Sequence, residues 1–186
     1  KNSYHGFVNK LGWVHLEDVE RYDIKLAIKT IPLPKIATRA NLISIYLKYA
    51  KKILAKRIVN DINNFSSLLT DIKKVLRNKE YLHYKNTIDK IFIKIHNVVL
   101  WIKLSDVFWV GEISDYGKVN TGTIKKLRKI AFLLGYNTIT FHINKSIKPS
   151  FLVYFKKYES EPLCYHYLNE GYENNKLVIT AADFDT

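Results

Sequence analysis

The sequence predicts a mixed α and β fold, α+β or α/β: a mixed central sheet with helices on both faces, preceded by a helical linker. Three observations carry the prediction. Residues 91–113 hold three closely spaced apolar runs of strand length. A helical apolar stripe follows over about 121–134, and a strand pattern over 137–143. A basic stretch with helical periodicity, 39–60, precedes them. Three adjacent strands leading into helix, strand, shorter helix and closing strands suit a mixed sheet with helices packed on it.

Taken in order, Asn2 to Leu11 reads as a short helix, with Ser3 or Asn2 as N-cap and Gly12 as the residue just past its end. Tyr22 to Ile31 alternates, with Ile24, Leu26 and Ile28 on one strand face. Pro32 and Pro34 are expected to end that strand and form a linker. In 39–60, Leu42, Ile43, Tyr46, Tyr49, Ala50, Ile53 and Leu54 recur at helical spacing, beside Arg39, Lys48, Lys51, Lys52, Lys56 and Arg57 and no acid. Such a helix can lie on an anionic membrane or bind an acidic partner; a connecting helix with solvated lysines is the simpler reading.

A polar break at 60–65 leads to a second expected helix, 66–79, with Leu68, Leu69, Ile72 and Leu76 on one face. Strands at 91–95, 98–104 and 107–113 suggest an antiparallel meander. After a polar loop, the helix from Thr121 aligns Ile124, Leu127, Ile130, Ala131 and Leu134, and Gly135 suits its C-terminal cap. A short helix at 149–158 starts on Pro149, and 163–168 and 176–181 are expected to close the sheet.

Composition limits the function classes. Of 186 residues, 47% are apolar and only 7 are Gly and 4 Pro, which excludes disorder and low complexity. One cysteine, Cys164, excludes an internal disulfide framework and a multi-cysteine metal site, and it reads as a structural thiol. No apolar run reaches the roughly 18 residues of a membrane-spanning helix. The chain begins at Lys1 and contains no Met, so a C-terminal segment of a longer protein is expected. Without a secretory pattern at its start, a cytoplasmic location is the expectation.

Lys and Arg number 30 against 17 Asp and Glu, a net charge of +13. That surplus favours anionic partners: nucleic acid, anionic lipid or phosphorylated small molecules. Lysine predominates, however, and arginine, the usual choice for bidentate phosphate or base readout, occurs only at 21, 39, 57, 77 and 128, so faces filled with solvated lysine are an equal reading. Nucleic acid is the less favoured partner, because core packing accounts for most aromatics. The six histidines show no two-ligand helical spacing, and no phosphate-loop, dinucleotide, nucleophile-elbow or calcium-loop motif occurs.

The chemistry-bearing residues cluster between 107 and 126. The loop Asp115-Tyr116-Gly117-Lys118-Val119-Asn120-Thr121-Gly122-Thr123 opens a helix. Helix N-termini bind phosphate through backbone N–H groups. Gly117 and Gly122 would let backbone come close to a pyrophosphate, and Lys118, Lys125 and Lys126 would supply counter-charge. An ordinary polar loop capped at Thr121 is the alternative. Glu112 ends the apolar strand after Trp109, Val110 and Gly111. A carboxylate among aromatics can have a raised pKa and suit a general base; a strand-end Glu facing water or pairing with a nearby Lys is the alternative.

This order of elements, with the helix at Thr121–Leu134, the Leu134-Gly135-Tyr136 exit and the strand at Thr138–Ile143, resembles the core of the GNAT acyltransferases. The opening, from Asn2-Ser3 to Lys10-Leu11-Gly12-Trp13, is similar to the passage that closes that family's fold. The resemblance implies the C-terminal portion of a tandem, diverged GNAT-like N-acyltransferase, of a type found in Bacteroidetes. Residues 1–35 would be the remnant of a first repeat, 36–65 a basic linker helix and 66–186 a second GNAT-like domain.

It further implies acetyl-coenzyme A or another acyl-coenzyme A as co-substrate, no metal, and a small-molecule or peptide amine as acceptor. Glu112 would act as base. Val110 and Gly111 would offer backbone to the thioester, and Gly117, Lys118, Gly122, Thr123 and Lys125 would hold the coenzyme. The two loop glycines differ in spacing from the family's motif, and Val8 stands where a tyrosine acid is common. A non-catalytic basic module that binds nucleic acid or an acidic partner is the other reading.

Overall fold

The computed structural model describes residues 2–27, 32–59, 73–74, 90–165 and 177–178. Its main feature is a six-stranded sheet in the order β3-β4-β5-β6-β1-β7. The strands are β1 (Val14–Lys25), β3 (Lys90–Ile95), β4 (Val98–Leu104), β5 (Phe108–Ile113), β6 (Thr138–Asn144) and β7 (Lys156–Tyr165). The helices are α1 (Asn2–Leu11), α2 (Leu33–Arg39), α3 (Ile43–Leu54) and α4 (Thr121–Leu133). A separate parallel ladder joins β2 (Lys73–Lys74) to β8 (Leu177–Val178).

β3, β4 and β5 form the expected antiparallel meander. β5 and β6 are parallel, joined by α4, and every other neighbouring pair in this sheet is antiparallel. The sheet is therefore mixed. Directly paired residues share a face. On one face lie Ile93 opposite Leu100, Ile102 opposite Val110, and Val110 and Tyr22 both opposite Phe141. These residues form one buried core with Ala37 of α2, Tyr46, Leu47, Ala50 and Leu54 of α3, and Ile124, Leu127, Ile130 and Ala131 of α4. Among the described residues, α2, α3 and α4 all feed this core. α1 contributes no residue to it and instead places Phe7 and Tyr4 against Trp13 and His15.

β1 is the largest departure from expectation. The strand expected at 22–31 runs from Val14 to Lys25, with Ile28 outside the described residues. It lies between β6 and β7 and bonds to both. Residues 1–35 thus supply a central strand to the same sheet as 90–165. Glu17, Asp18, Glu20 and Asp23 hide the strand in the sequence, because acids within a strand argue for solvent. Here Glu20 and Asp23 are each only 1% exposed.

The helix expected at 39–60 is observed as α3 alone, Ile43–Leu54, and α2 precedes it where a linker was expected. Pro34 sits in the first turn of α2, where proline needs no N–H partner, so the prolines begin a helix rather than form a linker. α2 stops at Arg39, Asn41 takes a left-handed φ of 55°, and α3 begins two residues later. α3 ends at Leu54, and Ile58 and Val59 then run against β3, with Val59 N–H on the Phe92 carbonyl at 3.0 Å. The helix expected at 66–79 lies almost wholly outside the described residues, and Lys73–Lys74 within it are strand.

Towards the C-terminus, the helix expected at 149–158 is a single 3-10 turn, Ser150–Tyr154. β7 starts at Lys156, seven residues before the strand expected at 163–168, whose last residues lie outside those described. Pro162 masks β7 in the sequence. The strand tolerates it as a sheet edge, paired with β1 alone. Of the strand expected at 176–181, Leu177–Val178 are described and are strand.

The glycines at helix ends behave as expected, with Gly12 at φ 67° and Gly135 at φ 76°. Gly135 does more than end α4. Its carbonyl accepts Leu33 N–H at 3.0 Å, and a Cβ at this position would lie 2.5 Å from Leu33 side-chain carbons. The glycine therefore fixes how closely α2 approaches the end of α4. Tyr46 supports the same junction, donating to the Leu134 carbonyl at 3.1 Å, and burial pushes its phenol pKa up to about 12.

Gly135→Ala is expected to lower stability by more than about 1 kcal/mol, from the left-handed backbone and the clash together. In urea unfolding, adding Leu33→Ala should recover part of the steric share, because it removes the carbons at 2.5 Å and leaves Leu33 Cβ at 2.7 Å, giving a coupling of about 0.5–3 kcal/mol. Strict additivity would show that Leu33 is not the obstacle.

Candidate functional site

In open sheets with parallel strands, ligands bind at the carboxyl ends of those strands. Here that place is the junction of β5 and β6. Their ladder runs from Phe108 opposite Ile139 to Val110 opposite Phe141 and then stops, although β5 continues to Ile113 and β6 to Asn144. At the same level the β4–β5 register shifts. Ile102 faces Val110 and Trp101 faces Glu112, so Gly111 is the extra residue of a bulge. A bulge bends its strand and sharpens the local twist. Val110 and Gly111, expected to offer backbone to a ligand, thus stand where the two parallel strands part.

Glu112 lies just beyond the parting. It is 5% exposed, not the water-facing strand end of the alternative reading. Its Oε1 accepts from Tyr116 O–H at 2.6 Å and from Ile113 N–H at 3.1 Å. Tyr116 belongs to an aromatic cluster with Phe141 and Phe151, at centroid distances of 6.3 and 6.0 Å. A polar carboxylate–phenol pair is therefore held at the margin of an apolar cluster.

The following loop corrects the expected phosphate cradle. Asp115 caps the 3-10 turn Tyr116–Lys118, accepting from Gly117 N–H at 3.0 Å and Lys118 N–H at 3.3 Å. It also pairs with Lys118 Nζ at 2.9 Å, and that contact, with the amides, holds its carboxyl below the ordinary carboxylate value. Gly117 and Lys118 are thus committed to a carboxylate inside the loop, and an incoming phosphate would meet that negative charge.

Asn120, not Thr121, is the N-cap of α4. Its Oδ1 accepts from Thr123 N–H at 3.0 Å and Thr123 Oγ1 at 3.2 Å, so buried Thr123 is also committed. Thr121 and Gly122 remain as the first amides of the helix. Gly122 lies against Asn120 and His96: a Cβ would come within 3.2 Å of Asn120 Oδ1 and 3.4 Å of the His96 ring. Thr121 Oγ1 meets Tyr154 O–H at 2.6 Å, and Lys125 is exposed on the first turn. The structure brings Val110, Gly111, Glu112, Tyr116 and the start of α4 to one end of β5, and leaves Gly117, Lys118 and Thr123 occupied.

Sequence reasoning missed Tyr116, Tyr154 and the carboxylates of β1. On the helix side, Glu20 accepts from Tyr22 O–H at 2.5 Å and is paired with Lys157. Burial raises its pKa, but the bonds from Lys157 and Tyr22 outweigh it, leaving Glu20 below its ordinary value of 4.5. Burial and Glu20 together raise the Tyr22 phenol. On the opposite face, Asp23 takes two bonds from Arg21 at 3.0 and 2.8 Å and one from Thr140 at 2.8 Å. His142 stands across from Arg21 and meets the Trp109 ring edge-on at 4.9 Å, and burial lowers its pKa. The Glu20-Arg21-Tyr22-Asp23 run was the available signal, because i, i+2 polar pairs share a strand face. Among the described residues no group of His, Cys, Asp and Glu is placed to hold a metal.

Two pH windows follow. Glu20 is depressed in the folded chain, so its stabilisation is complete above about pH 4.5 and is lost as pH falls through its lower folded value. His142 is also depressed, so the unfolded chain takes its proton first and stability declines below about pH 6.5. Glu20→Gln should cost about 1–3 kcal/mol at neutral pH and flatten the acid limb, whereas His142→Gln should flatten the slope just below pH 6.5. Unchanged Tm-against-pH profiles in both variants would refute these assignments.

Comparison of the chain with protein-family models, curated proteins and solved structures gave no match.

Proposed function

We propose that the chain is a GNAT-like acyltransferase domain, or the diverged half of one, which transfers an acyl group from acyl-coenzyme A to an amine. The observation that carries this reading is the parting of β5 from β6 after Val110 and Phe141, with the Gly111 bulge and the Glu112 carboxylate at the parting. Strand backbone that has left its ladder offers N–H and C=O groups to an extended ligand. Held amides near Val110 and Gly111 suit a thioester carbonyl as it gains negative charge. The β5–α4–β6 unit puts a helix start beside the same end of the sheet, with Thr121 and Gly122 as its first amides.

In the reaction, the amine nitrogen attacks the thioester carbon, the N–C bond forms, and the C–S bond breaks to release the coenzyme thiolate. The site would contribute mainly by holding amine and thioester in contact. Glu112 would take the proton that the amine loses, and Tyr116, hydrogen-bonded to Glu112, would return one to the thiolate. The resemblance expects a closing strand after the second helix. Here the strand beside β6 comes from residues 14–25, so the N-terminal passage completes the sheet that carries the site.

The occupied loop amides favour a second reading, a non-catalytic basic module. With Asp115 on the Gly117 and Lys118 amides, coenzyme contact would depend on Thr121, Gly122 and Lys125.

Thermal unfolding with acetyl-coenzyme A tests the first reading. Saturation at a hundredfold over Kd adds about 2.7 kcal/mol, a rise of roughly 5–10 °C for a chain of this size. Gly122→Val should abolish the rise. Glu112→Gln should keep it while slowing acyl transfer about 10²–10⁴-fold. No shift with the coenzyme would overturn the acyltransferase reading for this chain.

A further inference from the structure

The charge of the molecule is segregated by layer. No Asp or Glu occurs between residues 32 and 59 or between 121 and 135, while those segments hold seven and four basic residues. These are the segments of α2, α3 and α4, the helices that cover one face of the sheet. The acids of β1 lie in the sheet instead, so the charged side chains that these helical segments themselves carry are all cationic.

That surface is also apolar at its centre. The end of α4 sits between α2 and α3: Leu33 N–H bonds to the Gly135 carbonyl at 3.0 Å, and Tyr49 O–H donates to the Leu133 carbonyl at 3.3 Å. Around this junction Leu33, Ile36, Ile45, Tyr49, Phe132 and Leu133 are all exposed, Ile45 to 61% and Phe132 to 56%. Ile36 lies one turn beyond Leu33 and Ile45 one turn before Tyr49, so the patch is continuous. Lys48 and Lys52 on α3, and Arg128 and Lys129 on α4, are exposed beside it.

We propose that this face docks on an anionic lipid bilayer, with Ile45 and Phe132 entering the interface and the flanking lysines lying among the headgroups. An apolar patch ringed by cations matches an anionic membrane in both polarity and charge. A nucleic-acid backbone would use the cations and leave the exposed aliphatic side chains in water. A second copy of the chain would bring two cationic faces together. Neither occupant answers both features. The docking does not rest on the coenzyme reading, because its residues lie at the α2–α3–α4 junction and not at the parting of β5 and β6.

Co-sedimentation of the full chain with vesicles tests it. The chain should bind vesicles of phosphatidylserine and phosphatidylcholine and not phosphatidylcholine alone. Raising salt from about 0.05 to 0.5 M should weaken binding at least tenfold, as screening shortens the reach of the charges. Ile45→Ser with Phe132→Ser removes apolar area and no charge, and should weaken binding about tenfold with circular dichroism and Tm unchanged. Lys48→Gln with Lys129→Gln should weaken it by a similar factor. Absence of binding to the anionic vesicles would overturn the proposal. So would binding indifferent to the serine pair, tighter binding to an oligonucleotide at the same salt, or a dimer that these substitutions dissociate.

Discussion

β1 is hydrogen-bonded along both edges, to β6 on one side and β7 on the other, and the second half of the sheet depends on it. Without β1, β6 would become an edge and β7 would lose its partner. A strand in that position must bury both faces, yet this one carries carboxylates on each. Glu20 answers to Tyr22 and Lys157 on the helix side, and Asp23 to Arg21 and Thr140 on the other. Buried charge is tolerated only when paired and hydrogen-bonded, so these contacts are conditions of the sheet closing. They also select register: a slip of one residue would exchange the faces of Glu20 and Asp23 and separate both from their partners.

The same constraint sets the conditions for chemistry. β6 is held by β1 along its whole length, from Thr138 to Asn144, whereas β5 holds it only as far as Phe141. β5 meanwhile remains paired with β4 as far as Ile113, through the bulge at Gly111. Each parallel strand thus follows its antiparallel neighbour, and the two part. The aromatic cluster of Tyr116, Phe141 and Phe151 packs at this place, and Glu112 meets it through the Tyr116 hydroxyl. The acyltransferase reading takes this opening, framed by backbone and one carboxylate–phenol pair, as its site.

Charge is distributed on the same plan. In β1 the buried acids Glu20 and Asp23 are met by exposed Lys157 and Arg21, while the helical segments carry cations without acids of their own. Salt bridges such as Lys145 with Asp18, Lys157 with Glu20, and Arg21 with Asp23 within β1 use up part of the sheet's positive charge. The segments of α2, α3 and α4 contain no acid of their own for such pairs. Among the described residues the helical layer therefore carries uncompensated positive charge of its own.

By itself, the sequence determined the local elements: the β3–β5 meander, α4 with its glycine end, α1 before Gly12, and the basic amphipathic character of 39–60. Each is written in periodicity and caps, which act over a few residues. Glu112 was legible for a similar reason, as an acid ending an apolar strand. Tertiary structure alone decided the rest. β1 and β7 were obscured by acids and by Pro162, and they became strands through partners far along the chain, with Val14 opposite Tyr165. The loop amides looked available for phosphate until Asp115 and Asn120 turned back onto them. The helix expected over 39–60 is shortened to α3, because Asn41 turns the backbone left-handed before it and Ile58 and Val59 leave it to run against β3. Long-range pairing and side-chain satisfaction depend on which residues meet, and local sequence does not carry that information.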